Sequence, residues 1–200
     1  MKETSTRGRR QPAVTRERLL ETAEALFLEK GFRATSLQEI ADAAGRTTGS
    51  IYSSFDGKDD LFLDVFRWRA AKQEAVWREG LREARDSHDA AAAIGKALLS
   101  AMPEPAWQAV QLEFISFAAR DERLGRETAE IYRRATKLFE EILVHVAESS
   151  SLPLERLATI LLGLARGLAI TWFVEHEETD PTLFADAASL LLGVQATSDV

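Results

Sequence analysis

The chain has 200 residues, 46% of them hydrophobic, no cysteine and a formal net charge of −7. That length and apolar content suffice for one core, or for a small domain beside a larger one. The lack of cysteine excludes a disulfide scaffold, thiolate metal sites, iron–sulfur clusters and thiol catalysis, and it suits a reducing cytosol.

Residues 1–60 balance ten Lys/Arg against ten Asp/Glu, so the net negative charge lies beyond them. The opening stretch, MKETSTRGRRQPAVTRER, lacks the apolar segment of a secretory signal. Residues 1–14 are expected to form a flexible basic arm. Its run Arg7-Gly8-Arg9-Arg10 is either a solubilising tail or a local contact for phosphates.

Thr15 offers a helix N-cap, and Leu19, Leu20, Ala23, Leu26 and Phe27 recur at helical spacing up to Gly31. Ser36 and Glu39 have the spacing of a capping box, and Leu37, Ile40, Ala41 and Ala44 follow on one helical face. Gly45 suits the left-handed position that stops a helix. Thr47 can then cap a third helix at once, so the two helices are joined by a short turn and cross steeply.

The third helix reads as about nine residues. Ile51 and Phe55 are its core anchors, and Gly49, Ser50 and Ser53 point away from them. The outward face is thus small, neutral and rich in hydroxyls. A helix that short depends on its neighbours. Hydroxyls and backbone N–H groups are neutral donors suited to phosphate oxygens, glycine permits close approach to a duplex, and Lys58 follows as a point charge.

Residues 15–62 resemble the N-terminal DNA-binding domain of the TetR family of bacterial transcriptional regulators. The marks are Gly31-Phe32 with Thr35-Ser36, Ile40-Ala41 with Ala44-Gly45, Gly49 with Tyr52 and Phe55, and Lys58 with Leu61. The resemblance implies that the hydroxyl-rich helix enters the major groove of operator DNA. It places Thr35, Ser36, Thr47, Tyr52 and Lys58 at phosphates, and Gln38, Thr48, Gly49, Ser50 and Ser53 near base edges, with Ser54 beside them. The family's frequent lysine is missing at Thr48. Arg46, in the turn before it, either takes over direct readout together with Gln38 or is an exposed turn residue. Shape readout supplies the remainder.

Beyond Lys58 the pattern predicts helices over about 58–85, 88–101, 104–119, 121–150, 153–177 and 181–197, with Pro103, Pro105, Pro153 and Pro181 near their starts. The expected class is all-α with about nine helices. A helix-turn-helix domain over 15–60 is followed by an effector-binding and dimerisation domain over 61–200. The stretch Leu157–Val174, LATILLGLARGLAITWFV, is long enough to span a bilayer, but Arg166 at its centre argues for a buried helix. Packing of the last two helices against a second copy is expected to make a homodimer through Leu161, Leu164, Gly167, Leu168, Leu190, Leu191 and Val194.

Trp68, Trp107, Glu113, Phe114, Phe117, Arg166 and Trp172 lie on helices that, by the resemblance, surround a small-molecule effector. Each aromatic also reads as ordinary core, and each charge as half of an ion pair. No cofactor, metal or membrane is expected. His88, His145 and His176 are the histidines, and no metalloprotease, nucleophile-elbow or phosphate-loop pattern occurs, so enzymatic chemistry is not expected. The chain reads as a regulator of transcription, a ligand-responsive repressor on a pseudo-palindromic operator. The alternative is a helical protein-binding adaptor that kept the fold without specific DNA readout.

Overall fold

The computed structural model describes residues 12–82, 87–100, 102, 104–144, 150–175, 180 and 182–192, and every regular element among them is helical. In order these are α1 (Pro12–Lys30), α2 (Leu37–Ala43), α3 (Thr48–Tyr52), α4 (Lys58–Arg82), α5 (Ser87–Ser100), α6 (Pro105–Ala118), α7 (Glu122–Leu143), α8 (Leu154–Glu175) and α9 (Thr182–Leu192). This is the expected all-α class. One compact unit ends at Val65 and a second begins at Phe66. The Arg7–Arg10 run, Pro103, Pro181, His145, His176, Val194 and the side chain of His88 lie outside the described residues.

Several boundaries differ from the sequence reading, and the helix expected over about 121–150 ends at Leu143, capped by Val144. Helix α1 opens at Pro12, so Thr15 lies inside it instead of capping it, and the expected arm of residues 1–14 overlaps the helix. Proline's fixed φ and missing N–H suit a first helical position, which outweighs the threonine. Helix α3 has five residues, not about nine. The Ser50 hydroxyl donates to the Thr47 carbonyl at 2.8 Å and the Ser53 hydroxyl to the Ser50 carbonyl at 2.7 Å. Such local bonds compete with helix continuation, and the last turn tightens as the Ser54 N–H reaches only three residues back, to Ile51 at 2.9 Å.

The first unit closes over a small apolar core. Leu19, Leu20, Ala23 and Phe27 of α1 are buried with Phe32, Leu37, Ile40, Ala41, Ile51, Phe55, Leu61 and Phe62. Phe62 meets Phe27 and Phe32 edge-on, at ring separations of 5.1 and 5.2 Å. Each such pair adds about 0.5–1.5 kcal/mol beyond the area it buries. Phe55 is thus a core anchor as expected, although it lies past the end of α3. Arg16 closes the side of this core, with its guanidinium 5.3 Å from the Phe55 ring and ion-paired to Asp64.

The second unit has a core drawn from α4, α5, α7, α8 and α9, including Trp77, Ile94, Leu98, Phe139, Leu157, Leu161, Leu162 and Phe184. Trp77 stands edge-on to Phe139 at 5.2 Å and donates its indole N–H to the Ala97 carbonyl at 2.9 Å. Gly95 is what lets α5 lie against α9, because a Cβ there would stand 2.8 Å from the Ala185 backbone. Helix α8 is long and apolar enough to cross a membrane, with mean hydropathy 1.8. Its Leu157, Ala158, Leu161, Leu162, Ala165 and Ala169 nevertheless sit in the protein interior.

Candidate nucleic-acid interface

The turn between α2 and α3 is specified residue by residue. Ala44 caps α2, Gly45 takes φ 64°, its N–H bonds the Asp42 carbonyl at 3.1 Å, and the Arg46 N–H bonds the Ala41 carbonyl at 2.8 Å. These paired bonds are a Schellman closure, which needs a left-handed residue where glycine stands. Thr47 follows with extended backbone and its side chain accepts the Ser50 N–H at 3.2 Å, opening α3.

The start of α2 is held just as closely. Ser36 and Glu39 form the expected capping box: the Glu39 N–H donates to the Ser36 hydroxyl at 3.2 Å, and the Ser36 N–H donates to the Glu39 carboxylate at 2.8 Å. Lys30, the last residue of α1, donates to the same carboxylate at 2.8 Å. The Lys30 bond, and after it those from Ser36, hold the Glu39 carboxyl at about 2, well below the usual range.

A third tie runs between the two helices. Gln38 donates its amide N–H to Asp42 at 2.9 Å and accepts the Thr48 hydroxyl at 2.5 Å. An amide offers two donors and two lone pairs, so Gln38 keeps one of each while its plane is held. Gln38 and Thr48 therefore form one bonded unit on the outer side. Beside them Gly49 is exposed, and a Cβ built on it meets nothing within 4 Å. The fold itself does not require a glycine there. Tyr52 is 58% exposed, Ser53 and Ser54 are exposed, and Thr47 and Ser50 carry the cap of α3. Arg46 makes no side-chain hydrogen bond or ion pair among the described residues.

Two expected phosphate contacts fall elsewhere. Thr35 is 1% exposed, and its hydroxyl faces the Gly31 carbonyl at 2.7 Å and the Leu26 carbonyl at 3.2 Å. It is a buried clasp between the end of α1 and α2, so its side chain cannot meet a phosphate. Lys58 lies 4.7 Å from the Phe32 ring and donates to the carbonyls of Phe32, Arg33 and Thr35 at 2.7, 3.0 and 2.7 Å. Its three N–H groups thus have acceptors in the α1–α2 connection, and a phosphate would have to displace one of them. The sequence carries no local sign of this, because the carbonyls lie 23 to 26 residues away along the chain.

The residues assigned to an effector separate into two kinds. Trp107 and Phe114 are buried at 3% and 0% exposure and belong to the interior. Phe117 stands at the surface edge, its ring 6.4 Å from Phe114, while Trp68, Glu113 and Trp172 are half-buried. The Lys72 ammonium stands 3.4 Å from the Trp68 ring. Arg166 is half-buried, 4.6 Å from the ring of Tyr132, and Tyr132 accepts a hydrogen bond from Gln111 at 3.0 Å. Burial raises the Tyr132 phenol and lowers the Arg166 guanidinium from their ordinary values, each partly offset by the other. Nothing in the sequence marks Gln111 on the apolar α6 or Tyr132 on the charged α7, because their meeting depends on the packing of the two helices.

The residues expected at a dimer face differ in their exposure. Leu161 is fully buried in its own unit, and Leu168 and Leu191 are half-buried against the same core. Leu164 is half-buried, and Gly167 and Leu190 are exposed. The outward stripe of α8 is instead Ile160, Gly163, Gly167, Ile170 and Val174, of which Val174 is 67% exposed. A helix apolar nearly all round gives no periodicity to decide which side turns inward.

Two family models match the chain. Bacterial regulatory proteins of the tetR family match residues 19–65, and the C-terminal part of BetI-type transcriptional repressors matches residues 87–192. The chain is 28% identical to the HTH-type transcriptional regulator AcrR of Shigella flexneri over 181 residues, which cover 83% of this chain and 81% of that protein. It is 46% identical to the HTH-type transcriptional repressor KstR2 of Rhodococcus jostii over 52 residues, 26% of each chain. Among solved structures, Salmonella enterica GusR superposes with TM-score 0.73 at 19% identity, covering 92% of this chain and 98% of that one. The regulator FadR of Bacillus subtilis in complex with stearoyl-CoA superposes with TM-score 0.68 at 18% identity, covering 90% and 99%.

Proposed function

The chain belongs to the TetR family and is a DNA-binding transcriptional repressor, and we propose that it works as a cytoplasmic homodimer that grips a pseudo-palindromic operator and responds to a small organic effector. The domain division proposed is a DNA-reading part up to about residue 60 and an effector and dimer part beyond it. The observation that carries the reading is the outer side of the α2–turn–α3 unit. Three local closures hold it rigid, and its exposed residues are neutral, small and oriented. That arrangement suits insertion into a major groove, where the backbone must come close and a hydroxyl or amide must already point at its target.

In this reading Gln38, Thr48, Gly49, Ser50 and Ser53 face base edges, Arg46 adds a bidentate contact, and Ser36, Thr47, Ser54 and Tyr52 lie along the backbone. Thr35 and Lys58 hold the connection that positions α2. A second copy of the chain supplies the second recognition helix, with the stripe Ile160, Gly163, Gly167, Ile170 and Val174 and the exposed Leu190 as the contact. The glycines permit close approach of two helices. The capture of stearoyl-CoA by FadR supports a small-molecule response, and a shift of α4 would carry that response. Such an effector must prefer the released state, by about 5.5 kcal/mol for a swing from 1:99 to 99:1.

Selection of bound sites from random DNA tests the proposal directly. The expected result is a two-fold symmetric motif whose affinity falls steeply with salt, by about 0.9 in log K per log unit of salt for each phosphate contact. Equal, weak binding to all sequences would overturn it and favour the adaptor.

A further inference from the structure

In the second unit α6 packs on both α7 and α8, and α7 packs on α8. The register of α6 against α7 follows from two contacts. Gln111 bonds Tyr132 at 3.0 Å, and a Cβ on Gly125 would lie 3.4 Å from the Ala118 carbonyl, so the two helices run antiparallel. Gln108 and Gln111 are one turn apart on α6, and Thr128 and Tyr132 are one turn apart on α7. This places several polar side chains along one seam. Gln108 is 5% and Thr128 6% exposed, and the Thr128 hydroxyl has no hydrogen-bond partner among the described residues.

The donors on this seam are unspent. Gln111 donates to the Tyr132 oxygen, which leaves the Tyr132 O–H proton to give, and no acceptor takes it among the described residues. Arg166 lies over the Tyr132 ring and pairs with no carboxylate among the described residues. Arg69, by contrast, is already balanced: it stacks on Trp107 at 4.4 Å and pairs with Glu104 at 3.2 Å. Phe66 then supplies an apolar flank, 5.7 Å from Tyr132 and 5.9 Å from Trp107 by ring centroids. A half-buried cation without a carboxylate partner among the described residues is costly, and its face contact with Tyr132 returns only about 0.5–2 kcal/mol.

We infer that the seam of α6, α7 and α8 is the effector site, and that it takes a hydrophobic organic monoanion whose carboxylate or sulfonate is held by Arg166 and the Tyr132 hydroxyl. This rests on the ligand-responsive reading above. One guanidinium neutralises one negative charge, so a phosphate dianion would bury an uncompensated charge and is disfavoured. A planar guanidinium with a neighbouring O–H matches the two oxygens of a carboxylate. A phenol is neutral at pH 7, and burial raises Tyr132 further, so it remains a donor.

The test uses two fluorescent probes with the same ring system, 8-anilinonaphthalene-1-sulfonate and the uncharged N-phenyl-1-naphthylamine, titrated into the full-length protein. The sulfonate is expected to bind at least tenfold more tightly. Arg166→Gln should remove that preference by weakening the sulfonate about tenfold, with the neutral probe unchanged within twofold. Tyr132→Phe, which keeps the ring, should weaken the sulfonate alone about threefold and serves if Arg166→Gln does not fold. Equal binding of both probes to the native protein, or a folded Arg166→Gln that keeps the preference, would overturn the inference while leaving a ligand-responsive repressor in place. Binding of neither probe would overturn both. Selective sulfonate binding that leaves the operator complex intact would support the site and count against the response.

Discussion

Thr48 gives its hydroxyl proton to the side-chain oxygen of Gln38 at 2.5 Å, so the first residue of α3 and an outward residue of α2 present themselves as one unit. Two residues that sequence reasoning treats as separate base contacts are thus coupled. In the proposed complex Gln38 would meet a base edge with its remaining donor and acceptor in the orientation that Thr48 and Asp42 hold.

Thr48→Val removes that bond while keeping the branched shape. The expected result is a loss of discrimination between operator and scrambled DNA of about 1–3 kcal/mol, the scale of one bidentate contact, with non-specific affinity little changed. Competition binding with both DNAs checks it. Equal loss on both sequences would show that Thr48 contacts the phosphate backbone instead.

Gly49 is the place where stability and binding should move in opposite directions. Nothing within 4 Å meets an added Cβ, and helix propensity favours other residues over glycine by up to about 1 kcal/mol. Gly49→Leu is therefore expected to melt at the same or a higher temperature while losing operator affinity at least tenfold. Calorimetry and DNA titration on one preparation settle the matter.

Lys58 should behave as a structural cation. Its ammonium bonds three carbonyls and lies on the Phe32 ring, and Lys58→Met removes all of these together. Hydrogen bonds from charged groups contribute about 1.5–3 kcal/mol each when buried, and partial exposure lowers that. The expected outcome is a loss of about 1–3 kcal/mol in denaturant unfolding, with uniform weakening of DNA binding. Unchanged stability with a salt slope smaller by about one would restore the phosphate role.

The proposed dimer contact is tested on the exposed stripe of α8. Ile170→Arg places a charge on it without touching the interior, so sedimentation should show folded monomers whose operator affinity has collapsed. Leu161→Ala, by contrast, opens a cavity in the core and should cost about 2–5 kcal/mol of stability without dissociating the chains first. An unchanged mass for Ile170→Arg moves the interface elsewhere.

Acid should loosen the start of α2. Glu39 has its folded pKa depressed to about 2, against about 4.3 for a free glutamate side chain. A depressed carboxylate stabilises the fold above the unfolded value, and that contribution fades as pH falls through the folded one. Amide exchange in α2 should therefore quicken between about pH 4 and pH 2, and Glu39→Gln should abolish that dependence.

Much of the DNA-reading unit is legible in the chain because its controls are local. The Ser36–Glu39 box, the Gly45 stop and the Thr47 cap each act across three or four residues, and all stand where the sequence puts them. The shortness of α3 has an equally local cause, since a run of hydroxyls offers the backbone competing partners that a count of apolar positions ignores.

What the sequence by itself determined is the all-helical class, the helix-turn-helix and the small neutral face of α3. These follow from backbone sterics, capping and periodicity, which operate within one or two turns. Only the tertiary structure decided that Thr35 is a buried clasp, that Lys58 serves three carbonyls, which side of α8 turns inward, and that Gln111, Tyr132 and Arg166 share one seam. Those facts depend on residues that are distant in the chain and become neighbours only when helices pack, and packing is chosen by the shape of the whole core.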